Sequence, residues 1–166
     1  MPRRREPRGA LATEHSHLPI READVSARRA KVRLPPLALI VENHRDTRDM
    51  YAESLAFNGV RVVAAATAED ALEKARSLRP DIIATDLGLP GGADGVQLCE
   101  QLKGDERTKA IPVVAVTAWA LGGHVERAKA AGCESVLLKP CLPETLLAEI
   151  QQLLKRPRWS TAKDKT

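Results

Sequence analysis

The chain is 166 residues long and 43% hydrophobic, which suits one domain with a real core plus tails. Aromatic residues make up only 2%, so the core must be aliphatic and alanine-rich, which argues against the stacking platforms that hold single-stranded nucleic acid. The net charge of +4 is uneven: residues 1–36 hold nine Lys/Arg against four Asp/Glu, and residues 37–156 hold 14 against 17. The basicity therefore belongs to the ends, and the middle is mildly acidic, as a cation-binding pocket would make it.

Residues 1–36 carry arginines and prolines with little hydrophobic periodicity. They read as a basic, disordered arm, with a weak helix near residues 21–31. Pro35-Pro36 marks its end. From Leu37 the pattern alternates. A strand over 37–42 precedes a helix over 45–57, which Asn58-Gly59 terminates. A strand over 60–65 precedes a helix over 68–78, capped by Thr67, with Ala68, Ala71, Leu72, Ala75 and Leu78 on one stripe. Pro80 stops it. A strand over 81–86 leads into the glycine-rich loop 87–93. A helix over 94–103 turns Val96, Leu98, Cys99 and Leu102 inward. A strand over 112–117, a helix over 123–131 and a strand over 134–138 follow. The last helix, over 143–155, opens on Pro143, a favoured first-turn residue. Residues 157–166 read as a short polar tail.

Five strands alternating with five helices imply α/β architecture: a doubly wound parallel sheet with helices on both faces. Right-handed crossovers leave few topologies, and the common five-stranded one is flavodoxin-like, order 2-1-3-4-5. Ligands bind such sheets at the carboxyl edge, where the strand order reverses. Four apolar runs deliver reactive groups there: Leu37–Val41 ends at Glu42-Asn43, the run from Asp81 ends at Asp86, Val113–Val116 ends at Thr117, and Val136–Leu138 ends at Lys139-Pro140. An Asp, a Thr, a Lys and an acidic pair of positions on one edge are the parts needed to take up and hold a phosphoryl group.

Other chemistry-bearing residues read blandly. Cys99, Cys133 and Cys141 are odd in number and lack metal-ligand spacing, so they read as small buried or half-buried thiols in a reducing cytoplasm. His15, His17, His44 and His124 have no carboxylate or cysteine partner at ligand spacing and read as surface residues, with His44 beside the cleft. Trp119 reads as loop packing or part of a partner surface, and Gly122-Gly123 beyond it as a mobile loop. No run approaches the ~18 apolar residues of a membrane span. The basic N-terminus lacks the apolar segment of a secretory signal.

Residues 37–156 resemble a response-regulator receiver domain, the phospho-accepting module of two-component signalling. The resemblance rests on Leu39-Ile40-Val41-Glu42-Asn43, Asp81 to Pro90, Val116-Thr117-Ala118 and Leu138-Lys139-Pro140, in order and at these spacings. It implies that Asp86 is the phosphoacceptor and that Glu42, Asn43, Asp86 and the backbone carbonyl of Gly88 surround Mg²⁺. Thr117 and Lys139 would bind the phosphoryl group, and the Lys139–Pro140 peptide would be cis. A histidine kinase or histidine phosphotransfer protein would be the donor. A downstream protein would dock on the face made by the fourth helix, fifth strand and fifth helix, in the cytoplasm. A homodimer is compatible with this reading; nucleic acid and membrane are not expected as partners. No enzymatic activity is expected beyond Mg²⁺-dependent self-phosphorylation and slow autodephosphorylation, because Gly88 stands where an Asp-x-Asp phosphatase would carry a second acid.

Two positions depart from the family pattern. Asn43 stands where a second carboxylate is usual, which implies weaker Mg²⁺ binding. Val136 stands where an aromatic residue usually swings inward. These departures define an alternative, a receiver-like interaction module without a phosphoryl cycle. A further alternative is weak nucleic-acid binding by the arm, through Arg3, Arg4, Arg5, Arg8, Arg28, Arg29, Lys31 and Arg33. No second globular segment follows residue 155, so an effector domain is not expected within this chain.

Overall fold

The computed structural model describes residues 34–91, 94–118 and 122–155. The readings made for residues 1–33, for Trp119 and for the tail fall outside these. The five strands are β1 (Leu37–Val41), β2 (Arg61–Ala65), β3 (Ile82–Thr85), β4 (Val113–Thr117) and β5 (Ser135–Leu138). The helices are α1 (Arg45–Phe57), α2 (Ala68–Leu78), α3 (Gly95–Gly104), α4 (His124–Ala130) and α5 (Pro143–Leu154). All strand pairs are parallel, in the order β2-β1-β3-β4-β5. This is the flavodoxin-like arrangement expected from the alternation.

Burial explains the composition of the strands. A central strand in a doubly wound sheet is covered on both faces, so its side chains are apolar without alternation. Every residue of β3 and β4 is buried, while the edge strands β2 and β5 are mostly half-exposed. Successive residues still divide between two cores. Leu39, Val41, Ile83, Val113 and Ala115 face α2, α3 and α4, meeting Ala71, Ala75, Leu98, Leu102 and Ala128. Ala38, Ile40, Ala84, Val114 and Val116 face α1 and α5, meeting Tyr51, Leu55, Leu146 and Ile150. Each fully buried Leu or Ile contributes roughly 1.5–3 kcal/mol relative to exposure. Alanines on α2 keep that helix close to the sheet.

Local signals set the helix ends. Gly59 takes φ +79 behind α1, a conformation glycine adopts without steric cost. The Thr67 hydroxyl accepts from Asp70 N–H at 3.2 Å. α3 opens with a reciprocal capping box: Asp94 Oδ1 accepts from Gln97 N–H at 2.9 Å, and Gln97 Oε1 accepts from Asp94 N–H at 3.1 Å. Pro143 begins α5 as expected. One stripe residue differs: Leu78, the last residue of α2, is 49% exposed. Asp81 stands just before β3, and its N–H donates to Leu37 O at 2.7 Å. Its Oδ2 accepts from Leu37 N–H at 2.8 Å and so aligns the start of β1 with that of β3. The carbonyls of Pro35 and Pro36, at the boundary read from the sequence, accept from the Arg61 side chain and amide at the start of β2.

Candidate functional site

β1 pairs with β2 on one flank and β3 with β4 on the other, so the strand order reverses between β1 and β3. Val41 lies opposite Thr85 in the ladder. The next residues, Glu42 and Asp86, therefore emerge side by side. The backbone pins both: Glu42 N–H donates to Ala65 O at 3.0 Å, and Asp86 N–H donates to Val41 O at 2.9 Å. Each carboxylate is thus held by the extension of a strand rather than by a free loop.

Lys139 arrives from β5. Leu138 pairs with Thr117, and Lys139 N–H donates to Thr117 O at 2.8 Å. The Lys139–Pro140 peptide is cis, as the resemblance implied. The ammonium lies 2.7 Å from Glu42 Oε2 and 2.7 Å from Asp86 Oδ2. The other carboxylate oxygens take backbone amides: Glu42 Oε1 accepts from His44 N–H at 3.0 Å, and Asp86 Oδ1 from Gly88 N–H at 2.9 Å. The Glu42 side chain is 3% exposed and that of Asp86 13%. Burial alone would lower the Lys139 pKa, but the bonds to Asp86 and Glu42 outweigh it, and the pKa is raised. The ammonium stays charged at neutral pH.

The structure thus brings Glu42, Asp86 and Lys139 into direct contact. Thr117 is buried at the end of the neighbouring strand. Asn43 is exposed, one residue beyond Glu42, and Gly88 is half-buried. His44 contributes its amide, while its side chain is exposed as expected. Glu42 and Asp86 present carboxylate oxygens at this edge, the ligand type that suits a hard divalent cation. Among the described residues no three His, Cys, Asp or Glu side chains cluster as a metal site. The amide of Asn43 leaves this edge with two carboxylates.

Three supporting residues escaped the sequence reading. Arg48 on α1 reaches back to the turn after β1, its Nη1 donating to Glu42 O at 2.8 Å and to Asn43 O at 3.3 Å. Tyr51 is buried, and its hydroxyl donates to Cys141 O at 2.9 Å, fixing the segment just beyond Lys139-Pro140. Burial, with its contact to Cys141, pushes this phenol well above its ordinary pKa. The spacing of Tyr51 and Leu55 on one helix face would have marked Tyr51 as inward-facing. Gly95 begins α3 directly against the Asp86 turn, and its N–H donates to Leu87 O at 3.0 Å. A Cβ there would overlap the Asp86 carbonyl oxygen and lie 2.6 Å from Leu87 Cα.

A family model described as the response regulator receiver domain matches residues 38–151. The chain belongs to this family, the receiver domains of two-component signalling. Among curated relatives, the polar-differentiation response regulator DivK of Brucella anthropi is 31% identical over 121 residues, spanning 73% of this chain and 98% of that one. DivK of Brucella ovis is 32% identical over 116 residues, 70% of this chain and 94% of its own length. Among solved structures, a response regulator from Chloroflexus aurantiacus superposes with a TM-score of 0.69 at 30% identity, covering 74% of this chain and 99% of that one. The chemotaxis response regulator CheY4 of Vibrio cholerae gives a TM-score of 0.67 at 28% identity, covering 72% and 98%. Receiver domains of this family interact with histidine kinases and phosphotransfer proteins and generally bind Mg²⁺ at the phosphorylation site.

The fit at Gly95 gives a prediction. Gly95→Ala forces a methyl group into backbone, which cannot rotate away. Overpacking of this kind costs about 1–3 kcal/mol. Urea unfolding should show that loss, with amide NMR shifts centred on residues 86–88. An unchanged midpoint would mean that α3 does not bear on the Asp86 turn.

Proposed function

We propose that this chain accepts a phosphoryl group on Asp86 from a histidine kinase or a histidine phosphotransfer protein, and signals through protein contacts. One observation carries the reading: a single ammonium shared by two carboxylates at the switch point of the sheet, 2.7 Å from each. Lys139 holds Asp86 Oδ2 at the carboxyl edge, and the Asp86 carboxylate is the nucleophile. One carboxylate oxygen attacks phosphorus, the bond from phosphorus to the donor imidazole breaks, and the electron pair leaves with the imidazole. Lys139 then holds a phosphoryl oxygen by a charge-assisted bond, and the Thr117 hydroxyl donates to another. Mg²⁺, held by Glu42, Asn43, Asp86 and the Gly88 carbonyl, would supply charge to offset the like charges of carboxylate and phosphate. Water at the same site would hydrolyse the acyl phosphate slowly.

The output would leave through α4, β5 and α5. Leu138 at the end of β5 is 50% exposed and Leu142 ahead of α5 is 66% exposed, flanking the Lys139–Cys141 segment. A protein partner would cover these two side chains. Val136 is already packed against the core that faces α2, α3 and α4, so no inward swing of an aromatic ring operates here. The reading calls for a cytoplasmic protein. Among the described residues no helix is long and apolar enough to cross a membrane.

Exposed Asn43 favours a second reading, in which the fold serves as an interaction module without a phosphoryl cycle. Two experiments separate the readings. With acetyl phosphate and Mg²⁺, the wild-type chain should gain about 80 Da, one phosphoryl group, and Asp86→Asn should gain nothing. No adduct on the wild type would favour the interaction module, and an equal adduct on Asp86→Asn would remove Asp86 from the mechanism. Asn43→Asp adds a carboxylate to the donor set and should tighten Mg²⁺ by about 1–2 kcal/mol, near tenfold. Equal or weaker affinity in a fluorescence or calorimetric titration would place Asn43 outside the metal site.

A further inference from the structure

Away from the phosphoryl edge, the fold joins two cysteines that the sequence holds 34 positions apart. Cys99 lies on the buried face of α3, and Cys133 lies in the turn between α4 and β5. Their Sγ atoms are 3.2 Å apart, with the Cys133 thiol donating to the Cys99 sulfur. The Cys99 thiol in turn donates to Ala131 O at 3.4 Å. A disulfide bond is about 2.05 Å long, so the sulfurs need to approach by only about 1.2 Å.

The segment after Cys133 is tied to α3 by one side chain. Lys103 sits one helical turn after Cys99. Its ammonium donates to Glu134 Oε1 at 2.7 Å and to Ile111 O at 2.8 Å, while Glu134 Oε2 accepts from Val113 N–H at 2.6 Å. On the other side, Gly132 takes φ +102, and a Cβ there would come within 2.9 Å of Lys103 Cγ. Glu134 thus ties the segment after Cys133 to α3 through Lys103, while Gly132 leaves room for the Lys103 stem. The two thiols are also unequal. The bond from Cys133 lowers the Cys99 pKa, with help from Lys103, against the effect of burial. The Cys133 pKa is raised by the same bond and by burial. With Cys133 donating and Cys99 accepting in the thiol–thiol bond, Cys99 is placed as the attacking sulfur and Cys133 as the proton donor.

We propose that Cys99 and Cys133 are a redox pair, converted by hydrogen peroxide into a reversible disulfide that ties α3 to the α4–β5 turn. The Cys99 sulfur attacks one peroxide oxygen, the O–O bond breaks, and the departing hydroxide takes up the thiol proton as water. The resulting sulfenic acid is attacked by the Cys133 sulfur. The S–O bond breaks, and the hydroxyl leaves as water with the Cys133 proton. Two thiols are oxidised and one peroxide is reduced to two waters. A small dithiol reverses the reaction by thiol–disulfide exchange. Burial of both residues, at 0% and 6% exposure, admits only a small oxidant and makes the reaction slow. The inference is independent of phosphoryl transfer at Asp86.

The test uses the full chain with peroxide, followed by denaturation in N-ethylmaleimide. The oxidised protein should be lighter by about 2 Da and should take one maleimide, at Cys141, instead of three. Proteolysis should yield a peptide pair joined through Cys99 and Cys133, and dithiothreitol should restore the original mass. Because the bridge closes a long loop, the melting temperature should rise by about 5 °C or more before reduction. Cys141→Ser should oxidise in the same way, and Cys133→Ser should lose the 2 Da change. Three alkylatable cysteines in treated protein, a sulfinic acid on Cys99 in place of the bridge, or a disulfide through Cys141 would each overturn the proposal.

Discussion

The site depends on one ammonium held between two carboxylates. Glu42 and Asp86 are forced together because their strands are neighbours in register. Two like charges about 4 Å apart near a protein surface repel by about 4 kcal/mol at an effective dielectric of 20. The sheet answers from two strands away. β5 lies beyond β4, and Lys139 must cross that gap to reach both carboxylates at 2.7 Å. This explains why the segment around Lys139 is so firmly fixed. Its amide is tied to Thr117, and the carbonyl of Cys141 is bound by Tyr51 on α1, which shares that face of the sheet with α5. Shifting any of these would leave a buried carboxylate without its counter-charge, which is far more costly than losing an exposed pair.

The same arrangement makes the site responsive. Lys139 balances the two carboxylates of this edge, and in the proposed function it would also hold the incoming phosphoryl group. A change of partner at its ammonium would be transmitted along its backbone, which is hydrogen-bonded to Thr117 and flanked by the exposed Leu138 and Leu142. Asn43 alters the balance on the metal side. In the proposed metal site its amide oxygen would join the carboxylates of Glu42 and Asp86 without adding charge. Arg48 compensates in position, holding the carbonyls of Glu42 and Asn43 so that the turn keeps its shape.

Much of this was readable from local sequence. Asp86, Thr117 and Lys139 each end an apolar run, and a doubly wound sheet sends all such ends to one edge. Gly59, Thr67 and Pro143 marked helix ends because their backbone chemistry is local. The missing parts are long-range. Nothing near Tyr51 announces that its hydroxyl meets residue 141, and nothing near Gly95 reveals that α3 packs on the Asp86 carbonyl. Cys99 and Cys133 looked like two separate buried thiols, since their contact exists only after α3 and the α4–β5 turn have packed. Leu78 differs in another way: its spacing fits the stripe, but as the last residue of α2 it stays exposed.

The central claim is that Lys139 couples the phosphoryl position to the output face. The most direct measurement is amide NMR of the wild type and of Lys139→Ala, each with Mg²⁺, before and after beryllofluoride, which mimics the phosphoryl group. The account predicts that both fold, that the wild type shifts at Asp86 and across residues 117–139, and that the variant shifts at Asp86 with a blunted response beyond Thr117. The same response in both proteins, across that whole segment, would contradict it.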